Sequence, residues 1–458
     1  MEKHEHLLPG GYSPSARSRK TEVDVPHSSP KASLQHKVWA LLLSISLAAF
    51  FVSATNALKL KDPPSIEERV EKILSGTPLI DGHDDLPIFI RATFGNHIYQ
   101  ENFTVPFTQG NFPGHVDILR LQEGRVGGTF WSVFVQCPKN WSDFSDENYA
   151  LSVRQTIEQV DVMSRLQQAY PDTFSEPPNG TTALQAFRDG KIISPMGIEG
   201  LHSVGNSLAY LRHFYDRGVS YATLTHNCHN RYADAALVEL PGGGIKVADP
   251  LWNGVSDAGK KLIGEMNRLG MIVDLSHVSA NTMRDVLGGK DGWSGSEAPV
   301  IFSHSSAYAV CPHPRNVPDD VLDLVKARDS IVMVNFSPDF ISCTASKDPN
   351  GLPDFDPEHA TLEHVVDHIV YIGNHIGFDY VGLGSDFDGI PTVPRGLEDV
   401  SKFPDLIAEL LRRGVSDEYA AKVAGGNLLR VWKEVDRVAQ KLQAKGVHPA
   451  EDDLPPLS

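Results

Sequence analysis

The chain has 458 residues, 41% hydrophobic and 22% charged, which is enough apolar material for one large core or two ordinary ones and too much for a disordered or fibrous protein. A net charge of -17 and a pI near 5.5 leave no basic surface able to displace the counterions of a nucleic acid, which argues against such a partner. The acidity speaks otherwise to solubility, not to substrate.

Residues 1–37 are rich in Ser, Pro and charge without apolar periodicity, and predict a disordered tail. Val38 to Ala54 is an uncharged apolar run of 17 residues, at the lower limit for crossing a bilayer and longer than most signal-peptide cores. Lys31 and Lys37 before it favour an uncleaved anchor over 38–57, single-pass, with the N-terminus cytoplasmic. Cleavage near Ala54–Ala57, giving a secreted protein, is the alternative, and either way the rest of the chain would face a lumenal or extracellular space. Asn102-Phe-Thr, Asn140-Trp-Ser and Asn179-Gly-Thr agree with that, as glycosylation acceptors in loop-like surroundings. Asn335-Phe-Ser lies in an apolar strand and is expected to stay unmodified. All four cysteines, Cys137, Cys228, Cys311 and Cys343, follow the apolar run and predict two disulfides, with three pairings open.

Beyond the anchor, strand-like runs alternate with helical patterns. Thr77 to Ile80 is a short buried strand, and Gly82 allows a sharp turn where His83 and Asp85 leave it. The next strands are 127–135, 194–199, 221–225, 271–275, 299–302, 331–336 and 381–383. Helices are predicted over 146–168, with Leu151, Ile157, Val160 and Val162 apolar; over 208–217, stopped by Gly218; and over 257–269, stopped by Gly270. Eight such strands with mostly helical connections are the pattern of an α/β fold, a (β/α)8 barrel over 65–445. Closing helices follow over 406–413, 417–423 and 427–439, and then a polar tail over 446–458. An open doubly wound sheet is the rival, weakened because no Gly-rich dinucleotide fingerprint follows the first strand.

Barrel enzymes keep their chemistry at the C-terminal ends of the strands. Those ends carry His83 and Asp85, Glu199, His226, His277, His304, and Asp386 with Asp388. Residues two apart on an extended segment share a face, so His83 and Asp85 can grip one cation, and imidazole with carboxylate suits zinc. His277 and His304 would hold a second cation with Glu199 bridging, and two zinc ions roughly 3.5 Å apart would share a water acidic enough to attack an amide. His364, His368 and His375 share one helical pattern between the last two strands and are read as structural or solvent-facing.

These residues fall in blocks that closely resemble the membrane (renal) dipeptidases, zinc metallopeptidases on an amidohydrolase-like barrel. The blocks are Asp81-Gly-His-Asp-Asp85, Gly197-Ile-Glu-Gly-Leu-His202, Leu224-Thr-His-Asn-Cys228, Asp274-Leu-Ser-His-Val278, Ser303-His-Ser-Ser-Ala-Tyr308, Arg315-Asn-Val-Pro-Asp-Asp320 and Gly384-Ser-Asp-Phe-Asp-Gly389. The resemblance implies two zinc ions, one on His83, Asp85 and Glu199, the other on Glu199, His277 and His304. It implies that His226 contacts the scissile carbonyl, that Arg315 binds the substrate carboxylate, and that Asp386 shuttles the proton to the leaving amine. It also implies the pairs Cys137–Cys228 and Cys311–Cys343, dipeptide substrates and a homodimer. Asp84 departs from the family's usual Asn, no fifth cysteine offers an intersubunit disulfide, and no apolar C-terminal tail encodes a lipid anchor. A hydrolase of another small amide, a lactam or N-acyl amino acid, is the runner-up; a catalytically silent surface binding protein is the third reading.

Overall fold

The computed structural model describes residue 24 and residues 33–57, 63–240 and 242–453. Two compact units are present, Met1–Pro63 and Pro64–Ser458. In the first, the apolar run lies within a helix, Leu34–Ala57. The single-pass crossing expected of 38–57 finds no support, because no helix among the described residues is long and apolar enough to cross a membrane. The tail predicted over 1–37 lies almost wholly outside the described residues, as do the last five residues of the polar C-terminal tail.

The second unit is the expected barrel. Its strands are β1 (Leu79–Asp84), β2 (Val126–Phe134), β3 (Met196–Glu199), β4 (Val219–Thr223), β5 (Ile272–Asp274), β6 (Ile301–Phe302), β7 (Ile331–Val334) and β8 (Val381–Leu383). Each pairs in parallel with its sequence neighbours, and β8 closes on β1 with Asp81 opposite Leu383. The strands are buried on both faces, which is why they read as continuous apolar runs.

The connecting helices start and stop where local chemistry dictates. Ser145, Ser256, Ser279 and Ser416 each accept a hydrogen bond from the first turn of the helix that follows. Gly218 and Gly270 take φ values of +95° and +92° just past their helices, as the sequence predicted. After β8 come helices Phe403–Arg412 and Asp417–Ala421, then a π-helical turn, Lys422–Gly426, leading into Asn427–Ala444.

Four local readings change. β1 runs on through Gly82 and His83, so Gly82 is no turn: a Cβ there would meet Met333 Sδ at 2.5 Å and the Ser303 carbonyl at 2.8 Å inside the barrel. On helix Asp146–Ala169 the buried apolar face carries Tyr149, Val153, Val160, Val162, Met163 and Leu166, while Leu151 and Ile157 are exposed. Asn102, Asn140 and Asn179 are all exposed, but Asn102 sits in helix Glu101–Gln109, not in a loop. The described part of the polar tail is strapped down, since Asp452 Oδ1 accepts from the Leu208 amide at 2.9 Å at the start of helix Leu208–Asp216.

Both disulfides tie loops at the C-terminal rim of the barrel. Cys137–Cys228 (Cα–Cα 6.1 Å) joins the end of β2 to the loop after β4. Cys311–Cys343 (5.2 Å) joins the loops after β6 and β7.

Candidate metal centre

The barrel brings the predicted ligands to one mouth. Glu199 is the last residue of β3, Asp85 follows β1 directly, His304 lies two residues past β6, and His226, His277 and Asp386 each lie three past their strands. His277 and Asp386 have φ of +66°, a left-handed conformation that residues with a Cβ rarely adopt. Such strain is held only where the surroundings over-determine it.

One oxygen organises the group. Glu199 Oε1 lies 2.8 Å from His277 Nε2, 3.4 Å from His304 Nε2 and 3.6 Å from His83 Nε2. Asp85 Oδ2 is 3.3 Å from His83 Nε2, and the His277 and His304 Nε2 atoms are 3.0 Å apart. The ligating atoms of His83, Asp85 and Glu199 lie within 4.8 Å of one another, and so do those of Glu199, His277 and His304. His83 Nε2 and Asp85 Oδ1 are buried with no hydrogen-bond partner. Buried polar atoms are rarely left so, and two imidazole nitrogens at 3.0 Å can share one proton or face one cation. The donor set fits a pair of divalent ions with nitrogen and oxygen preference.

The outer ring nitrogens are held from behind. His83 Nδ1 is 2.8 Å from the Tyr221 hydroxyl, His304 Nδ1 is 2.8 Å from Ser303 Oγ, and His277 Nδ1 is 3.2 Å from Asn227 Oδ1. Ser303 Oγ in turn donates to Asp274 Oδ2 at 2.6 Å, which leaves its lone pair to accept from His304 Nδ1–H. All three rings therefore present Nε2 to the centre.

Electrostatics point the same way. Burial and the Arg315 charge hold His304 and His277 well below the usual imidazole range, so both are neutral, as ligands must be. Burial works on His83 in the same direction, but the Glu199 and Asp85 carboxylates outweigh it and raise its pKa to about 10. Burial pushes Glu199 well up and Asp386 to about 6. Burial is the largest cause at Glu199, Asp386, His277 and His304, and the crowding of carboxylates decides only His83.

The remaining predicted residues surround this group. His226 is half-buried, its ring centroid 4.3 Å from that of His277 and 4.8 Å from Phe134. Arg315 is 3% exposed, leaves Nε and Nη2 without partners, and feels the charges of Asp386 and Glu199. Asp386 lies with His83 and His304, and its Oδ2 accepts from Asn335 Nδ2 at 3.0 Å. Asp388 turns away to His115, whose backbone amide it accepts at 2.6 Å. Asp84 is fully buried behind the ligands, and burial followed by the Asp388 charge raises it well above the usual carboxyl range. Sequence reasoning missed Tyr221, Ser303 and Asn335 as partners of site residues, although Ser303 stands beside His304 within a quoted block. His368 is buried in a structural role, accepting from the Ala307 amide and meeting the Ile341 carbonyl, both at 3.0 Å. His364 and His375 are partly exposed.

The membrane dipeptidase profile (peptidase family M19) matches residues 67–446. The dipeptidase aclJ of Aspergillus oryzae is 43% identical over 428 residues, covering 91% of this chain and 93% of its own. The dipeptidase tcpJ of Claviceps purpurea is 45% identical over 376 residues, covering 82% and 81%. Among solved structures, the probable dipeptidase PvdM of Pseudomonas aeruginosa superposes with a TM-score of 0.68 at 23% identity, over 82% of this chain and 99% of its own. A metallopeptidase of Rhodobacter sphaeroides, bound to a phosphinate mimic of the dipeptide L-Ala-D-Ala, gives 0.64 at 23% identity, over 78% and 99%. A closed eight-stranded barrel with this rim, matched by the family profile over most of its length, belongs to the membrane dipeptidases, metallopeptidases of family M19 that hydrolyse the peptide bond of dipeptides.

Proposed function

We propose that the protein is a zinc-dependent dipeptidase whose working residues are those gathered around Glu199. The observation that carries this reading is the approach of three imidazole Nε2 atoms to a single carboxylate oxygen, with His83 Nε2 and Asp85 Oδ1 otherwise unpartnered. His83, Asp85 and Glu199 would hold one zinc ion, and Glu199, His277 and His304 the other. When bound, the ions supply a water that ionises near neutral pH and polarise the scissile carbonyl.

The rest is done by the chain itself. Arg315 offers two unpaired N–H groups in the plane of a fork that matches a carboxylate, so it holds the free C-terminus of the substrate and rejects longer chains at that end. His226, held neutral largely by burial, donates its ring N–H to the carbonyl oxygen as charge builds there. Asp386, with its pKa raised towards neutrality by burial, takes a proton from the attacking water and returns it to the leaving amine. Asn335 keeps that carboxyl aimed.

Exhaustive chelation should abolish dipeptide turnover and added Zn2+ should restore it. Glu199→Gln should lower kcat/KM more than about 100-fold with the melting temperature little changed. Full turnover after chelation, or in Glu199→Gln, would defeat the reading. A panel of L,L and L,D dipeptides against lactams and N-acyl amino acids separates it from the other amide hydrolases. The L,D pairs are included because the Rhodobacter enzyme binds a mimic of L-Ala-D-Ala.

A further inference from the structure

Arg315 poses a physical problem. A guanidinium 3% exposed, with Nε and Nη2 unpartnered and no acidic side chain within ion-pair distance among the described residues, would normally be expensive to bury. A carboxylate beside it would remove that cost, but would occupy the donors the substrate needs. The chain supplies something else. The guanidinium carbon of Arg315 lies 5.0 Å from the ring centroid of Phe340, on the short helix Pro338–Ile341 after β7. An aromatic face stabilises a cation without consuming its N–H groups.

The ring is fixed to the arginine's loop at several points. Asn316 Nδ2 donates to the Phe340 carbonyl at 2.7 Å and to the Cys311 carbonyl at 2.9 Å. The His313 ring stands 4.3 Å from that of Phe340, and His313 Nδ1 accepts the Arg315 amide at 3.2 Å. Cys311–Cys343 closes the same two loops on each other. We infer that Phe340 is a positioning residue for substrate recognition: its ring holds the Arg315 guanidinium charged and oriented while leaving the fork open for the terminal carboxylate. This rests on reading Arg315 as the carboxylate holder, and the test separates the two.

Kinetics on a dipeptide and on the matching dipeptide amide, which lacks the carboxylate, are compared for wild type, Phe340→Leu, Phe340→Tyr and Arg315→Ala. Phe340→Leu should raise KM for the dipeptide about tenfold with kcat within about twofold, Phe340→Tyr should restore it, and neither should change the amide kinetics. Replacing Phe340 by phenylalanines of increasing fluorination keeps the shape and weakens the ring face, so KM should climb stepwise; that series decides the matter even if Phe340→Leu does not fold. If Arg315→Ala leaves the preference for the dipeptide over its amide intact, the carboxylate reading fails, and this inference with it. If Arg315→Ala erases that preference while Phe340→Leu leaves it alone, impairs both substrates equally, or fluorination has no effect, the positioning role alone is overturned.

Discussion

Each imidazole proposed to hold a cation has a partner on its other nitrogen. Ser303 is the most exposed to test, because its hydroxyl accepts from His304 Nδ1 at 2.8 Å while donating to Asp274 at 2.6 Å. Ser303→Ala should weaken zinc affinity about 10- to 100-fold in competition with a chromophoric chelator, with the melting temperature of the zinc-free protein close to wild type. Unchanged affinity would mean the ring is oriented by packing alone. The convergence of His83, Asp85, Glu199, His277 and His304 was legible in the sequence because each falls at a strand end within a recognisable block. Tyr221 and Asn335 were not, because their partners come from other strands and only the closed barrel brings them together. The choice between Asp386 and Asp388 was beyond spacing for a different reason. Alternate residues share a face only on extended backbone, and both have positive φ, +66° and +63°, so the chain turns between them and sends one carboxylate to His83 and the other to His115.

At the level of the element, boundaries in the sequence followed the punctuation, and this worked best where the punctuation is chemical. Helix Asp257–Leu269, bracketed by Ser256 and Gly270, was read to the residue. Strand β1 was read too short because Gly82 suggested a turn, whereas the missing Cβ serves a close approach of Met333 and the Ser303 backbone that no local pattern reveals. The face of helix Asp146–Ala169 was misassigned at Leu151 and Ile157, since apolar residues on the outer layer of a barrel need not point inward. The C-terminal strap was hidden by its polarity, for Asp452 works as a helix cap in trans, accepting from Leu208 and, at 3.3 Å, from Ala209. Asp452→Ala should cost about 1 kcal/mol, seen as a small fall in denaturant midpoint with kinetics unchanged. A midpoint equal to wild type would show that the strap contributes nothing.

For the molecule as a whole, β8 pairing with β1 closes the barrel sheet so that it has no open edge, and two disulfides brace loops at its C-terminal rim. Fully buried His368 adds a pH dependence. Burial lowers its pKa to about 4, against 6.5 in the unfolded chain, despite its bond to the Ile341 carbonyl. Above pH 6.5 both states are neutral and nothing is lost; as pH falls from 6.5 towards 4 only the unfolded chain gains the proton, so stability declines by up to roughly 3 kcal/mol from this group. Denaturant melts across that window should show a shallower decline in His368→Gln than in wild type, and parallel curves would contradict the assignment.

Distant segments converge on Glu199, and their proposed task is to hold two cations. Anomalous diffraction at the zinc edge, from crystals of the zinc-loaded protein, tests it most directly. Two peaks should flank the Glu199 carboxylate, one against His83 and Asp85 and one against His277 and His304. A single peak, or peaks away from Glu199, would contradict it.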